Sequence, residues 1–196
     1  MEKSMAFAVC DDDEIVCEAI CNKINKILKK CGVYARTDKY VSPVALYKNI
    51  ESGERSYDAL FLDIDMPRLD GISLGKSLQK LQKRPDIIFV SNREDKVFES
   101  FAVRPFGFVR KNNFSNDLVD TLLSYINMVI MKNAFIAVTT NNNSVVRKIK
   151  VADIVYIESF RYKQYVYMAD VELFECRMSM EEFEDKVGCF DIIRIY

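Results

Sequence analysis

The sequence predicts an α/β protein: a parallel sheet covered by helices on both faces, followed by a smaller, mostly β domain. Three observations carry this. Residues 7–10, 59–62 and 87–90 are short unbroken apolar runs, as expected of parallel strands buried on both faces. Each run ends on a polar residue: Asp11, Asp63 and Ser91. Beyond Lys132 the apolar segments stay short, and turn-forming residues rather than helical stretches separate them.

Each element follows in order. After the first strand, Ile20, Ile24, Ile27 and Leu28 form one apolar helical stripe. Residues 33–41 read as a second strand. Ser42 and Pro43 then open a short helix as cap and first helical residue. The third strand ends at Asp63, and a loop from Met66 to Gly71 leads into a helix carrying Ile72, Leu74, Leu78 and Leu81. The fourth strand ends at Ser91. A helix around Val97, Phe98 and Phe101 follows, and core packing is the expected role of Phe98, Phe101 and Phe106, with an interface role as the alternative. Residues 106–110 form the fifth strand, and Leu118, Leu122, Leu123, Ile126 and Ile130 mark a last amphipathic helix. Five such β–α units predict a doubly wound, flavodoxin-like five-stranded parallel domain over residues 1–132.

Residues 133–196 form the second domain. Segments 135–138, 145–149, 154–157, 165–168 and 171–174 read as strands, with turns at Asn141-Asn142-Asn143-Ser144 and Ala169-Asp170. Ser179, with Glu182 three residues on, signals the capped start of one helix over 179–186.

The chain has 196 residues, 49% hydrophobic and 29% charged, with a net charge of −1, which suits a soluble globular protein. Charge alone selects neither nucleic acid nor membrane as a partner. No stretch approaches the ~20 apolar residues of a membrane span, and no signal peptide precedes the acidic run. A cytoplasmic location is expected. The cysteines at 10, 17, 21, 31, 176 and 189 match no zinc spacing, and the chain has no histidine; free thiols in a reducing compartment follow.

Ligands of such sheets bind beyond the carboxyl ends of the strands. Asp11-Asp12-Asp13, Asp63 and Ser91 stand at three of those ends and Lys111 at a fourth. Clustered carboxylates are costly unless compensated. Mg²⁺, bound through carboxylate oxygen, relieves that cost and can also hold a phosphate. Asp63 has three roles open to it: phosphoacceptor, metal ligand or helix cap. A carboxylate can act as nucleophile to form an aspartyl phosphate, with a hydroxyl (Ser91) and a cation (Lys111) holding the phosphoryl oxygens. For Asp11-Asp12-Asp13, the structural alternative is a helix N-cap cluster.

Residues 5–130 resemble a response-regulator receiver domain, through "AVCDDDE", "LFLDIDMPRLDG", "IIFVSN" and "FGFVRK". The resemblance implies Asp63 as phosphoacceptor. It implies a Mg²⁺ site of Asp63, Asp12 directly, Asp11 mainly through water, and Asp65 through its backbone carbonyl. Ser91 and Lys111 would bind the phosphoryl group, and Phe108 would be the aromatic switch. Asn112 stands where the family usually has proline, and Asn92 and Arg93 are expected to crowd the site mouth. Residues 133–196 resemble the start of a LytTR DNA-binding domain, through "VADIVYIES" and "SMEEFEDKV". This pattern is expected to be incomplete at the C-terminus. It implies DNA contacts by Arg161, Lys163 and Gln164 in a loop. Arg147, Lys148 and Lys150 add a basic patch, although from residue 133 on there are eight Lys/Arg against ten Asp/Glu.

The expected whole is a transcription-regulating response regulator rather than a turnover enzyme. It would be phosphorylated by a cognate sensor histidine kinase, dimerise on phosphorylation, and act on promoter DNA without a membrane partner. Two alternatives stand beside it: a Mg²⁺-dependent aspartyl-phosphate phosphotransferase or phosphatase, and a receiver acting as an interaction module alone.

Overall fold

The computed structural model describes residues 4–140, 145–161, 163–170 and 172–187. The expected turn at 141–144, Val171, Cys189 and the stretch 188–196 lie outside the described residues. The chain forms two compact units, residues 1–124 and 125–196.

In the first unit, strands β1 (Met5–Cys10), β2 (Ala35–Tyr40), β3 (Ala59–Leu62), β4 (Asp86–Ser91) and β5 (Gly107–Arg110) alternate with helices α1 (Glu14–Lys30), α2 (Pro43–Glu51), α3 (Gly71–Leu78) and α4 (Val97–Ser100). A further helix, α5 (Phe114–Asn133), runs from this unit into the next. The sheet order is β2-β1-β3-β4-β5, and every pairing is parallel. This is the doubly wound flavodoxin-like arrangement, whose order reverses between β1 and β3.

Strand periodicity explains the burial. Ala8, Cys10, Leu60, Leu62, Ile87 and Phe89 point to one face, in a core shared with α2 and α3. Their neighbours Phe7, Val9, Phe61, Ile88 and Val90 are equally buried on the other face. The Phe7 and Phe61 rings there meet edge to face at 6.0 Å. Burying each of these large side chains contributes about 1.5–3 kcal/mol.

The helix starts obey local chemistry. Asp13 caps α1, accepting from the Ile15 and Val16 amides, and Ser42 caps α2 with Pro43 in the first turn. α4 is one turn long, between the 3-10 turns Glu94–Lys96 and Phe101–Val103. Phe98 and Phe101 are 84% and 60% exposed, which corrects the expectation that they pack in the core: Phe98 stands on the single turn of α4 and Phe101 on the 3-10 turn after it, and their rings contact each other at 6.1 Å.

The second unit holds an antiparallel ribbon of β6 (Phe135–Thr139) and β7 (Val146–Lys150), and an antiparallel sheet of β10 (Leu173–Cys176), β9 (Lys163–Met168) and β8 (Ile154–Phe160), in that order. Helix α6 (Met180–Val187) follows. Its start is a reciprocal box: the Ser179 amide donates to Glu182 Oε2 at 2.7 Å and the Glu182 amide to Ser179 Oγ at 3.1 Å. Ile136, Val138, Ile149, Val166 and Phe183 are among the residues of this unit's own core.

Candidate functional site

The carboxyl ends of β1, β3, β4 and β5 bring the expected groups together. Asp11 and Asp63 each follow a run of buried apolar residues and are 1% and 6% exposed. Asp12 is exposed. One carboxylate oxygen from each of Asp11, Asp12 and Asp63 lies within 4.8 Å of the others. The Lys111 ammonium, just beyond β5, reaches between two of them, 2.7 Å from Asp11 Oδ2 and 3.1 Å from Asp63 Oδ2. Burial alone depresses the Lys111 pKa, but the hydrogen bond to Asp11 and the charge of Asp63 outweigh it and raise the pKa above the usual lysine value. Burial first, and then the neighbouring Cys17, Asp11 and Asp63, push the Cys10 thiol up to about 12, so this residue adds no thiolate to the pocket.

The backbone fixes each acid. The Ile64 amide donates to Asp63 Oδ1 at 2.8 Å, and the Asp13 amide to Asp11 Oδ1 at 3.0 Å. Sequence reading did not single out Gly71, which lies directly against the nucleophile candidate. Its amide donates to Ile64 O at 3.0 Å, and a Cβ there would overlap the Asp63 carbonyl oxygen. The Asp-Gly pair ending the loop before α3 was the available signal. Asp13 serves as helix cap, while Asp11 faces Lys111.

Ser91 is 1% exposed, and its hydroxyl accepts from the Arg93 amide at 3.3 Å. Arg93 pairs with Asp95 at 2.9 Å and reaches Asp65 at 3.4 Å, linking the loops after β3 and β4. The Asp65 carboxylate is thus exposed and outside the acidic trio, which leaves its backbone carbonyl as the group expected at the metal. Asn112 donates to Glu94 Oε1 at 2.8 Å, a second tie between loops. Phe108 is half-buried against the core, 6.4 Å from the Phe89 ring.

The donor set fits a hard divalent cation. Three carboxylates and one ammonium leave two formal negative charges, and all the candidate donors are oxygen. Two oxygens on one Mg²⁺ lie at most about 4.2 Å apart, close to the spacing of these carboxylates.

The expected DNA-contacting trio does not gather. Arg161 is exposed in a left-handed turn (φ 59°), its guanidinium 5.3 Å over the Phe160 ring. Lys163 pairs with Glu175 at 2.9 Å. Gln164 corrects the sequence expectation: it lies within β9, not a loop, and is only 9% exposed. Strand alternation puts it on the same face as Val166, which is buried in the core of this unit. No helix among the described residues is long and apolar enough to cross a membrane.

Comparison with known proteins agrees with this geometry. The model of the response regulator receiver domain family matches residues 7–123. Protein MrkE of Klebsiella pneumoniae is 25% identical over 138 residues, covering 64% of this chain and 51% of MrkE. Transcriptional regulatory protein YpdB of Escherichia coli is 33% identical over 54 residues, 28% of this chain and 22% of YpdB. The chain therefore spans about half the length of MrkE and less of YpdB. Among solved structures, the response regulatory domain of MrkE superposes with a TM-score of 0.56 at 19% identity, covering 63% of this chain and 97% of that one. The receiver domain of Francisella response regulator 1452 gives 0.54 at 22% identity, covering 64% and 99%. These structures share the fold of the first unit.

Proposed function

We propose, for a chain that belongs to the response regulator receiver domain family, that it is a two-component response regulator phosphorylated on Asp63 and acting on transcription. The observation that carries this is the Lys111 ammonium held between the buried carboxylates of Asp11 and Asp63. It supports the reading because a cation and two buried carboxylates meet at the carboxyl end of the sheet.

In this reading a cognate sensor histidine kinase presents a phosphohistidine. A carboxylate oxygen of Asp63 forms the new O–P bond as the donor's N–P bond breaks, and the donor imidazole keeps the electron pair. Asp63, Asp12, Asp11 and the Asp65 carbonyl would hold Mg²⁺, which would supply positive charge against the phosphoryl oxygens. Lys111 holds one phosphoryl oxygen, and Ser91 gives up the Arg93 amide to hydrogen-bond another. Withdrawal of Ser91 lets the half-buried Phe108 move inward, a local event that biases a two-state surface. Phe98 and Phe101 are exposed on that surface and suit phosphorylation-dependent dimerisation.

Residues 1–132 are proposed as the receiver and 133–196 as part of a LytTR-type DNA-binding domain. The transcriptional regulator YpdB among the relatives supports a transcriptional output. Arg161 and Lys163 are the hairpin cations offered to DNA; the exposed Lys163–Glu175 pair is weak enough to be exchanged for a phosphate contact. The output is tested by sedimentation and promoter-DNA binding of the chain before and after phosphorylation. Association and tighter DNA binding on phosphorylation are expected. An unchanged sedimentation coefficient together with unchanged DNA affinity contradicts the proposed output.

A further inference from the structure

Several basic residues of the second unit are held by partners. Arg147 is bound through both guanidinium nitrogens to Glu172, Lys163 to Glu175, and Lys186 to the Ala137 carbonyl at 3.0 Å. Lys148 and Lys150 have no carboxylate partner among the described residues. Both stand on β7 and, two residues apart, point to the same side.

The register shows what else is there. Phe135 pairs with Lys150, Ala137 with Lys148 and Thr139 with Val146, so these six side chains share one face. The alternate residues Ile136, Val138 and Ile149 are buried in the unit's core. The outward face therefore carries two cations and no carboxylate, in a segment whose surroundings are net acidic. Phe135 and Val146 are 51% and 66% exposed, and the Lys148 ammonium lies 4.7 Å over the Phe135 ring. The Lys186 contact to Ala137, and the donation of the Arg177 amide to Thr139 O at 2.9 Å, tie β6 to α6 and to the residue just after β10. The ribbon is thus a braced element rather than a loose hairpin.

We infer that the outer face of the β6–β7 ribbon, through Lys148 and Lys150, binds the phosphate backbone of duplex DNA. This inference rests on the DNA-binding reading above and moves the main electrostatic contact from the β8–β9 hairpin to the ribbon. Residues two apart on a strand are about 6.8 Å apart, the axial rise over two phosphates of one DNA strand. A two-stranded ribbon also has the width of a major groove. Lysine contributes here as a point charge, so the contact adds affinity without reading sequence.

The test is fluorescence anisotropy of the full chain with a labelled mixed-sequence duplex across a KCl series, beside K148Q/K150Q and K148R/K150R. The inference expects weaker binding by K148Q/K150Q on every duplex. The slope of log affinity against log salt should shrink by about two, and K148R/K150R should restore it. Binding by the unaltered chain with affinity and slope unchanged in K148Q/K150Q overturns the ribbon contact and leaves the DNA-binding reading standing. Absence of duplex binding by the unaltered chain overturns both. Capture on phosphatidylserine vesicles without duplex binding assigns the face to a lipid surface and equally overturns the inference.

Discussion

Lys111 is the residue on which the site's electrostatics turn. It is the only ammonium seen between Asp11 and Asp63 among the described residues, and both carboxylates are nearly sealed from water. Lys111→Ala is expected to destabilise the chain by about 3 kcal/mol, because removing one member of a buried ion pair leaves charge uncompensated. Added Mg²⁺ should recover part of that loss. Urea denaturation with and without Mg²⁺ measures both, and a variant as stable as the parent in metal-free buffer contradicts the pairing. Gly71 is constrained differently. A methyl group there meets the Asp63 carbonyl oxygen, so Gly71→Ala should cost about 1–3 kcal/mol through forced backbone movement and slow phosphoryl uptake. Thermal unfolding and an uptake time course check the two effects. Asp63, Ser91 and Lys111 were legible in the sequence because each ends a strand, and strand ends of such sheets converge. The Gly71 contact was not, since it depends on how the loop between β3 and α3 folds back on itself.

At the scale of elements, α5 is anchored to the end of β5. Arg110 pairs with Asp117 at 2.7 Å, and the Arg110 amide also donates to the same carboxylate. Chiefly the Arg110 side-chain hydrogen bond holds the Asp117 pKa at about 2, against a smaller opposing effect of burial. A pKa depressed on folding contributes stability that is present above the unfolded value, about 3.9. That contribution is lost as pH falls toward the folded value. The chain should therefore lose more stability than Asp117→Asn between about pH 4 and pH 2. Parallel pH profiles of denaturation midpoint check this, and matching slopes in that window contradict it. On α4 and the turn after it, Phe98→Ala with Phe101→Ala should change stability by no more than about 0.5 kcal/mol, as exposed side chains do, while lowering phosphorylation-dependent association. Unfolding and sedimentation of the variant separate the two. The long helices and all five parallel strands were legible because their apolar periods are strong. Phe98 and Phe101 suggested a buried helix, but both are exposed where α4 is only one turn long. Gln164 was misplaced by a related limit: one residue of register decides whether a hairpin side chain points to solvent or to core.

For the whole molecule, the two-part organisation was legible where alternating strand and helix signals gave way to strand and turn signals near Lys132. α5 runs without interruption from Phe114 to Asn133, and the two compact units divide within it, at residues 124 and 125. In the proposed function, output through the second unit depends on the first unit accepting a phosphoryl group, so the site itself is the claim to test. The most direct measurement is intact mass after incubation with Mg²⁺ and acetyl phosphate, for the chain beside Asp63→Asn. A gain of one phosphoryl group that requires Mg²⁺ and is absent from Asp63→Asn is the predicted result. A gain that persists in Asp63→Asn, or no gain from this donor or from a phosphorylated histidine kinase, contradicts the account.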